Sequence, residues 1–290
     1  MAVETGILLA FVAMISWALG DFLIQRSTRK FGNWEPLLII TGFGAIVLAP
    51  FVYNDLAAII SSDFNFLVFM SVGALMFLAA LIDFEALRKG KICVIEPIMA
   101  LEVPVAAAFA FLVINESLSI IESLLVIFLI SGLVLVSLRS RHLSSKIWFE
   151  RGVLLAVGAA VLMGVSNFMV GFASRSTNPM LAIWFVDLFI AVSCIFYLVV
   201  NKKGGSMLLH IRQNKRLLLG VSIIDNIAWV SFAAAATLVP VTIATAISEG
   251  YIAIAALLGI IFNKELMLRH QKVGIALSII SAIALAYIYA

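Results

Sequence analysis

The sequence has few charged residues, few cysteines and few histidines. Only 12% of its 290 residues are Asp, Glu, Lys or Arg, whereas 64% are hydrophobic. Soluble domains have about 25% charged and about 45–50% apolar residues, and a soluble fold of this length leaves roughly a quarter of its unfolded surface exposed. The composition therefore excludes a soluble enzyme, a nucleic-acid-binding protein, a disordered tail and a disulfide scaffold, and it places the chain in lipid.

The few cysteines and histidines show no spacing for a metal or a disulfide. Cys93 and Cys194 lie in apolar runs, and His142, His210 and His270 lie in short basic loops. Zinc sites and disulfide frameworks need cysteines or histidines at characteristic spacings. We therefore expect neither a metal nor a cofactor.

Charged residues, prolines and polar clusters divide the chain into ten apolar stretches. A membrane-spanning helix needs about 20 mostly apolar residues, and the runs are continuous rather than alternating, which is typical of helices and not of strands. We predict an all-α membrane protein with ten transmembrane helices. The predicted spans are 6–25, 35–54, 64–87, 92–114, 119–138, 152–174, 179–200, 216–238, 241–262 and 271–289.

Basic residues fall almost entirely in alternate loops. Eighteen of the nineteen Lys and Arg follow the first, third, fifth, seventh and ninth spans, and Arg175 is the exception. With ten spans these five loops share one face, which the positive-inside rule assigns to the cytoplasm. We expect a multi-pass protein of the plasma membrane with both termini outside.

The basic stretch 139–151 separates five spans from five, and similar residues recur in the two halves. Glu116 and Glu265 are 149 residues apart, and Asp21 and Asn167 are 146 residues apart. An odd number of spans in each half makes the halves insert in opposite directions, and inverted repeats commonly enclose a site near the bilayer midplane. We predict two inverted five-helix repeats around a central cavity: a first repeat (1–138), a cytoplasmic linker (139–151) and a second repeat (152–290).

The last part of each half also contains a glutamate that is followed at set distances by glutamine or glycine. Glu265, Gln271 and Gly274 form this pattern in the second half, and Glu116 and Gly132 form part of it in the first. The pattern resembles the Gly-Glu-x5-Gln-x2-Gly-x6-Gly motif of EamA-type permeases in the drug/metabolite transporter superfamily, which have two five-helix repeats. The positions that depart from the motif are Asn115, Glu122, Leu125, Lys264 and Ser281.

The resemblance covers essentially the whole chain. The stretch 84–98 is similar to the family's link between its third and fourth helices. The resemblance implies export or uptake of small organic solutes through a central cavity lined mainly by helices one, three, four, six, eight and nine. It does not specify the solute, because the family transports many kinds.

Four acidic residues lie deep in predicted spans whose one Lys or Arg is Arg216, the first residue of its span: Glu102, Asp187, Asp225 and Glu249. Each is roughly 12–15 Å from the nearer span end, close to the middle of a hydrocarbon core of about 30 Å. Ionised carboxylates are costly there, so protonation, an aqueous cavity or a bound cation is expected. We predict that these four acids bind substrate or protons. The alternative is that they are protonated and link helices by hydrogen bonds.

Four further acids lie within about five residues of a predicted cytoplasmic end. We expect their side chains to reach the membrane interface or to pair with the basic residues at positions 26, 88, 89 and 91. These shallow acids are Asp21, Asp83, Glu85 and Glu96.

Two prolines lie inside the fourth span. Pro97 and Pro104 each remove a backbone donor, and such a bend is tolerated in hydrocarbon where protein or water satisfies the freed groups. Because Glu96 and Glu102 lie beside them, we predict a kinked helix that lines the cavity. A kink that serves only helix packing is the alternative.

Aromatic and amide side chains complete the predicted site: Trp17, Asn167, Trp229 and Tyr251. Trp229 is one helical turn from Asp225. An aromatic face beside a carboxylate can hold a cationic or aromatic solute. Packing alone is the alternative role for these residues.

We predict a secondary transporter, a permease or exporter of small organic metabolites such as amino acids, that works by alternating access and is not an enzyme. Proton coupling remains open. A passive channel or facilitator is one alternative, although no filter-like motif is present. An intramembrane enzyme is another, although metalloprotease and nucleophile-elbow spacings are absent. The expected partners are a small solute, the lipid bilayer and, with coupling, protons; the chain is expected to be a monomer or a homodimer.

Overall fold

Long apolar helices follow one another through the chain. The structure is a computed structural model that describes residues 2–90, 92–137, 152–202, 207–254 and 268–289, and these residues contain no strand. A 3₁₀ helix, Tyr53–Ala58, follows the second α-helix. The α-helices are α1 Ala2–Phe31, α2 Trp34–Val52, α3 Asp63–Lys89, α4 Ile92–Met99, α5 Glu102–Ile114, α6 Ile120–Ser137, α7 Val153–Ser176, α8 Pro179–Val200, α9 Met207–Leu238, α10 Val241–Ser248 and α11 Arg269–Tyr289.

Several helix ends are set by short polar side chains. Ser62 accepts a hydrogen bond from the backbone N–H of Asn65 at the start of α3. Asn178 accepts one from the N–H of Met180 at the start of α8. These are the usual roles of Ser and Asn before a helix, where the first N–H groups have no intrahelical acceptor. At the other end of α5, Asn115 has a left-handed conformation with φ of 53°, which often ends a helix.

Seven helices in the described part of the chain are long and apolar enough to cross a membrane: α1, α2 with its 3₁₀ extension, α3, α7, α8, α9 and α11. Three shorter apolar helices accompany them: Glu102–Ile114, Ile120–Leu135 and Val241–Ile254. Large apolar side chains such as Ile46 and Leu112 are exposed, whereas Glu102 and Glu249 are buried. An apolar exterior around a polar interior identifies a multi-pass membrane protein.

Two of the ten predicted spans are interrupted. The fourth, 92–114, forms α4 and α5 with a turn at Ala100 and Leu101. Pro104 has no N–H to donate to the carbonyl of Ala100, which weakens the helix at this point. The ninth, 241–262, has a turn at 249–250 and is described only as far as Ile254. The predicted linker 139–151 and the motif residues Lys264 and Glu265 lie outside the described residues.

The helix bounds repeat at a constant offset. Helices α4 and α10 each have eight residues, and their first residues, Ile92 and Val241, are 149 positions apart. The turns that follow them, at 100–101 and 249–250, are separated by the same offset. Helix α11 also begins 149 positions after α6. The same interruption at the same place in both halves indicates that the unit is duplicated.

Each half packs mainly against the other half. The most extensive helix contacts are α1 with α9, α3 with α7, α2 with α8 and α6 with α11. In chain order α1 corresponds to α7 and α3 to α9, so the first two contacts are equivalent. Helices α2 and α6 pack against their own counterparts. The largest contacts therefore join equivalent or corresponding helices of the two halves.

Glycines allow two of these helix pairs to approach closely. A Cβ atom on Gly6 would lie 2.8 Å from Cβ of Leu238, and one on Gly132 would lie 2.8 Å from the carbonyl oxygen of Gly274. Both distances are shorter than van der Waals contact. Small residues at helix crossings are typical of membrane bundles, where tight packing rather than water drives association.

Candidate functional site

A cavity lies at the centre of the bundle, between helices of both halves. Its volume is about 80 Å³, which is room for several waters. None of the described residues that line it is Lys, Arg or His. Its lining includes seven acidic side chains: Asp21, Asp83, Glu96, Glu102, Asp187, Asp225 and Glu249.

Three of the shallow acids lie in this cavity. Asp83 and Glu96 are buried, Asp21 is half-buried, and all three line the cavity, so the prediction that their side chains reach the membrane interface is wrong. For Glu85 the prediction is confirmed, since its Oε1 lies 2.8 Å from Arg88 and 2.7 Å from Lys89. Depth along the helix does not distinguish Glu85 from the three acids of the cavity. What distinguishes them is the direction in which each side chain leaves its helix.

Glu102 and Glu249 lie at the two interrupted helices. Glu102 is the first residue of α5 and Glu249 follows α10 directly, so both lie where a helix breaks. Both side chains line the cavity. Asn167 of α7 donates a hydrogen bond from Nδ2 to Oε2 of Glu102 at 2.8 Å. Oε2 of Glu249 and Oδ1 of Asn167 are buried without a hydrogen-bond partner in the described chain.

Aromatic rings cover one side of these acids. The hydroxyl of Tyr251 donates a hydrogen bond to Oε2 of Glu96, and Oε1 of Glu96 is buried without a partner among the described residues. The ring centroid of Trp17 lies 6.4 Å from that of Tyr251 and 5.0 Å from that of Trp229. The three rings form an edge-to-face wall between the acid of α4 and the middle of α9.

A second group of oxygens lies between α2, α8 and α9. Oδ2 of Asp187 and Oδ1 of Asn226 both approach Gly44 so closely that a Cβ atom there would overlap them. Neither oxygen has a hydrogen-bond partner in the described chain, although Nδ2 of Asn226 donates to the carbonyls of Ile40 and Ser222. Asp187 and Asp225 both line the cavity. Sequence reasoning missed Asn226, for which the only signal is its position after Asp225.

A polar cluster also closes one end of the bundle. Glu116 accepts hydrogen bonds at 3.0 Å from the first N–H groups of α10, those of Val241 and Thr242. Arg175 donates to the carbonyls of Ala236 and Val239 near the end of α9, at 2.7 and 2.8 Å. Nη1 of Arg175 lies 3.2 Å from Glu116. We call this pair the clasp.

Arg175 was visible in the sequence as the one basic residue outside the basic loops, but its role was not. Arginine at a helix end can satisfy carbonyls that have no intrahelical donor, and glutamate can do the same for the first N–H groups. The clasp therefore holds the connection between α9 and α10 by both of its ends.

The structure brings together most of the predicted site residues. Asn167 lies behind Glu102, Pro104 follows the break between α4 and α5, and Pro97 lies within α4. Whether any of these residues binds a solute stays a prediction. The predicted site residues that line the cavity are Trp17, Glu102, Asp187, Asp225, Trp229, Glu249 and Tyr251.

An apolar helical bundle with an acidic interior cavity defines a multi-pass membrane protein with a central site. The chain belongs to the EamA-like transporter family, whose profile matches residues 4–138 and again residues 150–287. This confirms the resemblance seen in the sequence motifs. Family membership makes the protein a membrane transporter of small molecules.

Two further comparisons found a protein of similar sequence and a structure of similar fold. An uncharacterized protein of Methanocaldococcus jannaschii is 23% identical over 138 residues, which is 47% of this chain and 98% of that protein. A solved crystal structure matches 98% of this chain and 96% of its own with a TM-score of 0.73 and 14% sequence identity. At such identity the structural likeness shows the fold alone. The archaeal relative has the length of one of the two matched halves.

Proposed function

We propose that the protein is a secondary transporter of small organic metabolites that works by alternating access. The single observation that supports this best is the central cavity, in which three buried carboxyl oxygens have no hydrogen-bond partner in the described chain, those of Glu96, Asp187 and Glu249. Buried acids without partners are expensive in a membrane and mark paths for solutes or protons. A purely structural role would leave these oxygens paired.

The proposed architecture is ten transmembrane helices in two inverted five-helix repeats. The repeated helix bounds, the equivalent contacts of α1 with α9 and α3 with α7, and the double family match support it. In this topology α4 and α5 together form one interrupted span, and so do α10 and the residues after it. Interrupted helices at equivalent places in inverted repeats are typical of transporter binding sites.

In the proposed conformation the cavity opens toward the cytoplasm. Lining residues of α1 and α2, such as Ile24 and Leu37, lie in the halves of these helices next to the loop at 32–33, which belongs to the basic face. The opposite ends are closed where Gly6 packs on Leu238 and where the clasp binds α10. Opening the other side would require these contacts to separate.

Cysteine labelling tests the orientation. In a variant without Cys93 and Cys194, a cysteine at Asp63 should react with a membrane-impermeant maleimide on intact cells, and a cysteine at Lys202 should react only after lysis. The reverse pattern would contradict both the plasma-membrane orientation and the outside position of the termini.

Proton coupling is proposed to use Glu102 and Glu249. Both are buried in the same cavity, and two neighbouring carboxyl groups out of water hold one proton far more easily than none. If opening to the other side separated them, each cycle would release that proton. Asn167 would keep Glu102 in place meanwhile, through its 2.8 Å hydrogen bond.

Transport in liposomes tests this coupling. After a thermal-shift screen has identified a solute that stabilises the protein, an imposed pH gradient should drive its accumulation. Glu102→Gln and Glu249→Gln should abolish accumulation while solute exchange continues, because the solute can still bind. Asp63→Asn, which removes an exposed acid at the start of α3, should transport like the wild type. Unchanged accumulation in both glutamine variants would refute the coupling site.

A further inference from the structure

Two buried oxygens lie side by side where α2 packs against α8 and α9. Oδ2 of Asp187 and Oδ1 of Asn226 both reach the position that a Cβ atom on Gly44 would take. Since they share that one position, they are less than about 4 Å apart, which is within reach of one proton or one small cation. Neither oxygen is open to water or has a hydrogen-bond partner in the described chain.

The side chain of Asn226 is held in one orientation. Its Nδ2 donates to the carbonyl oxygen of Ser222 at 3.0 Å and to that of Ile40 at 3.2 Å. Rotating the amide by half a turn would set Oδ1 against two oxygens that, like itself, only accept hydrogen bonds. The amide atom beside Asp187 is therefore the oxygen.

Two acceptors that lie side by side out of water require a donor or a cation between them. The described residues provide no donor to either oxygen, and both oxygens are closed to a water molecule. A metal ion takes about six oxygen ligands, and the described residues contain no group of three or more acidic, histidine or cysteine side chains that could hold one. A proton on Asp187 needs no further ligand, because a protonated carboxyl group donates through its O–H.

The titratable groups around Asp187 are acidic. The helices packed most closely on α8 are α2, α3, α7 and α9. Of these, α3 brings Asp83 to the cavity and α9 brings Asp225, whereas the described lining residues of α2 and α7 are uncharged. None of the described lining residues is Lys, Arg or His. An unpaired charge out of water is costly, and this part of the chain leaves only a proton to neutralise Asp187.

We infer that Asp187 is a proton-binding site, which donates its proton from Oδ2 to Oδ1 of Asn226 and is closed by Gly44. The inference goes beyond the proposed function, which places its coupling proton on Glu102 and Glu249. A protonated Asp187 brings no negative charge to the cavity, so a cationic solute group would form no ion pair with it. The same proton links α8 to α9 by a hydrogen bond in this conformation.

Infrared spectroscopy of the purified full chain at neutral pH tests the inference directly. The carbonyl stretch of a protonated carboxyl group is separate from the bands of ionised carboxylates. Asp187→Asn should therefore lose one protonated-carboxyl band, and the control Asp63→Asn, which removes an exposed acid, should lose none. Asn226→Leu should keep that band at a shifted frequency, because the carboxyl group loses its acceptor. An unchanged carboxyl region in Asp187→Asn would overturn the inference, and an unshifted band in Asn226→Leu would overturn the acceptor.

Thermal unfolding supplies a second test, because asparagine can replace the proposed donor. The amide of Asp187→Asn can donate to Oδ1 of Asn226, so this variant should melt within about 2 °C of the wild type at neutral pH. Asp187→Leu has a similar shape but no donor and leaves that oxygen unpaired, so it should melt at least about 3 °C lower. Equal losses in the two variants would contradict the donated hydrogen bond.

Sodium titration decides between a proton and a metal ion. At equal ionic strength, sodium chloride should raise the melting temperature of the wild type no more than choline chloride does. A sodium-specific rise that Asp187→Asn lacks would assign the site to the metal ion and overturn the inference.

These measurements are independent of transport, so the two proposals can fail separately. A protein that shows the infrared band but moves no solute would refute the proposed function alone. A working transporter whose band survives Asp187→Asn would refute the proton site alone.

Discussion

The clasp makes a quantitative prediction about stability. Glu116→Gln keeps one oxygen that can accept from the N–H of Val241 or Thr242, but it loses the second acceptor and the negative charge. A hydrogen bond to a charged group contributes about 1.5–3 kcal/mol, and a negative charge at a helix start about 0.3–1 kcal/mol. Because the Glu116 side chain is only 10% exposed, water replaces the lost acceptor poorly. We expect the free energy of unfolding to fall by about 2–4 kcal/mol.

The ion pair itself contributes little to that figure. Arg175 is 32% exposed and its Nη1 lies 3.2 Å from Glu116, and exposed pairs contribute about 0–1 kcal/mol. A double-mutant cycle with Arg175→Met should therefore give a coupling energy below about 1 kcal/mol. Most of the loss in Arg175→Met should come from the two carbonyl bonds to Ala236 and Val239.

Thermal unfolding of purified protein in detergent measures this prediction. A loss of about 2–4 kcal/mol corresponds to a melting temperature lower by roughly 4–12 °C for a chain of this size. Asp63→Asn, an exposed acid at a helix start, is the matched control and should shift it by less than about 2 °C. If Glu116→Gln melts with the control, the hydrogen bonds to α10 do not stabilise the protein and the reasoning fails.

Two further substitutions test the packing of the cavity wall. Gly44→Ala places a methyl group on the oxygen of Asp187 and should destabilise by about 1–3 kcal/mol in thermal melts, whereas Gly42→Ala, whose nearest neighbour is 4.0 Å away, should melt at or above the wild-type temperature. Tyr251→Phe removes the hydroxyl that binds the buried acid of α4 and should destabilise by about 1–3 kcal/mol. Tyr287→Phe, at an exposed position, is its control, and equal melting temperatures for the two would show that the hydrogen bond contributes nothing.

Much of the fold follows from patterns along the chain. Hydrophobic runs fix helices because every backbone polar group in lipid must be bonded within its own segment. The predicted span 179–200 has the bounds of α8, and span 64–87 differs from α3 by at most two residues. The 149-residue offset of the motif glutamates is also the offset of the helix breaks. The breaks themselves were harder to place, since Pro104 lies beside the first break and no proline lies within 241–254, around the second.

The candidate site was only partly predictable. Depth in a span identified Glu102 and Asp187 because hydropathy and position are properties of one segment. Asp21 and Asp83 were assigned to the interface by the same measure and lie in the cavity. Both lie near the predicted cytoplasmic ends of their spans, but their side chains are directed into the cavity. Which way a helix faces is decided by the helices packed around it.

The sequence by itself determined that the protein lies in lipid, that it is helical, that its two halves are similar and that carboxyl groups lie far from water. Each of these depends on composition and on spacing along the chain. Only the tertiary structure decided that seven acids share one cavity, that Asn226 and Gly44 lie beside Asp187, and that Arg175 binds the end of α9. The physical reason is that these are relations between side chains on different helices. They depend on rotation, tilt and close approach, which no single apolar segment encodes.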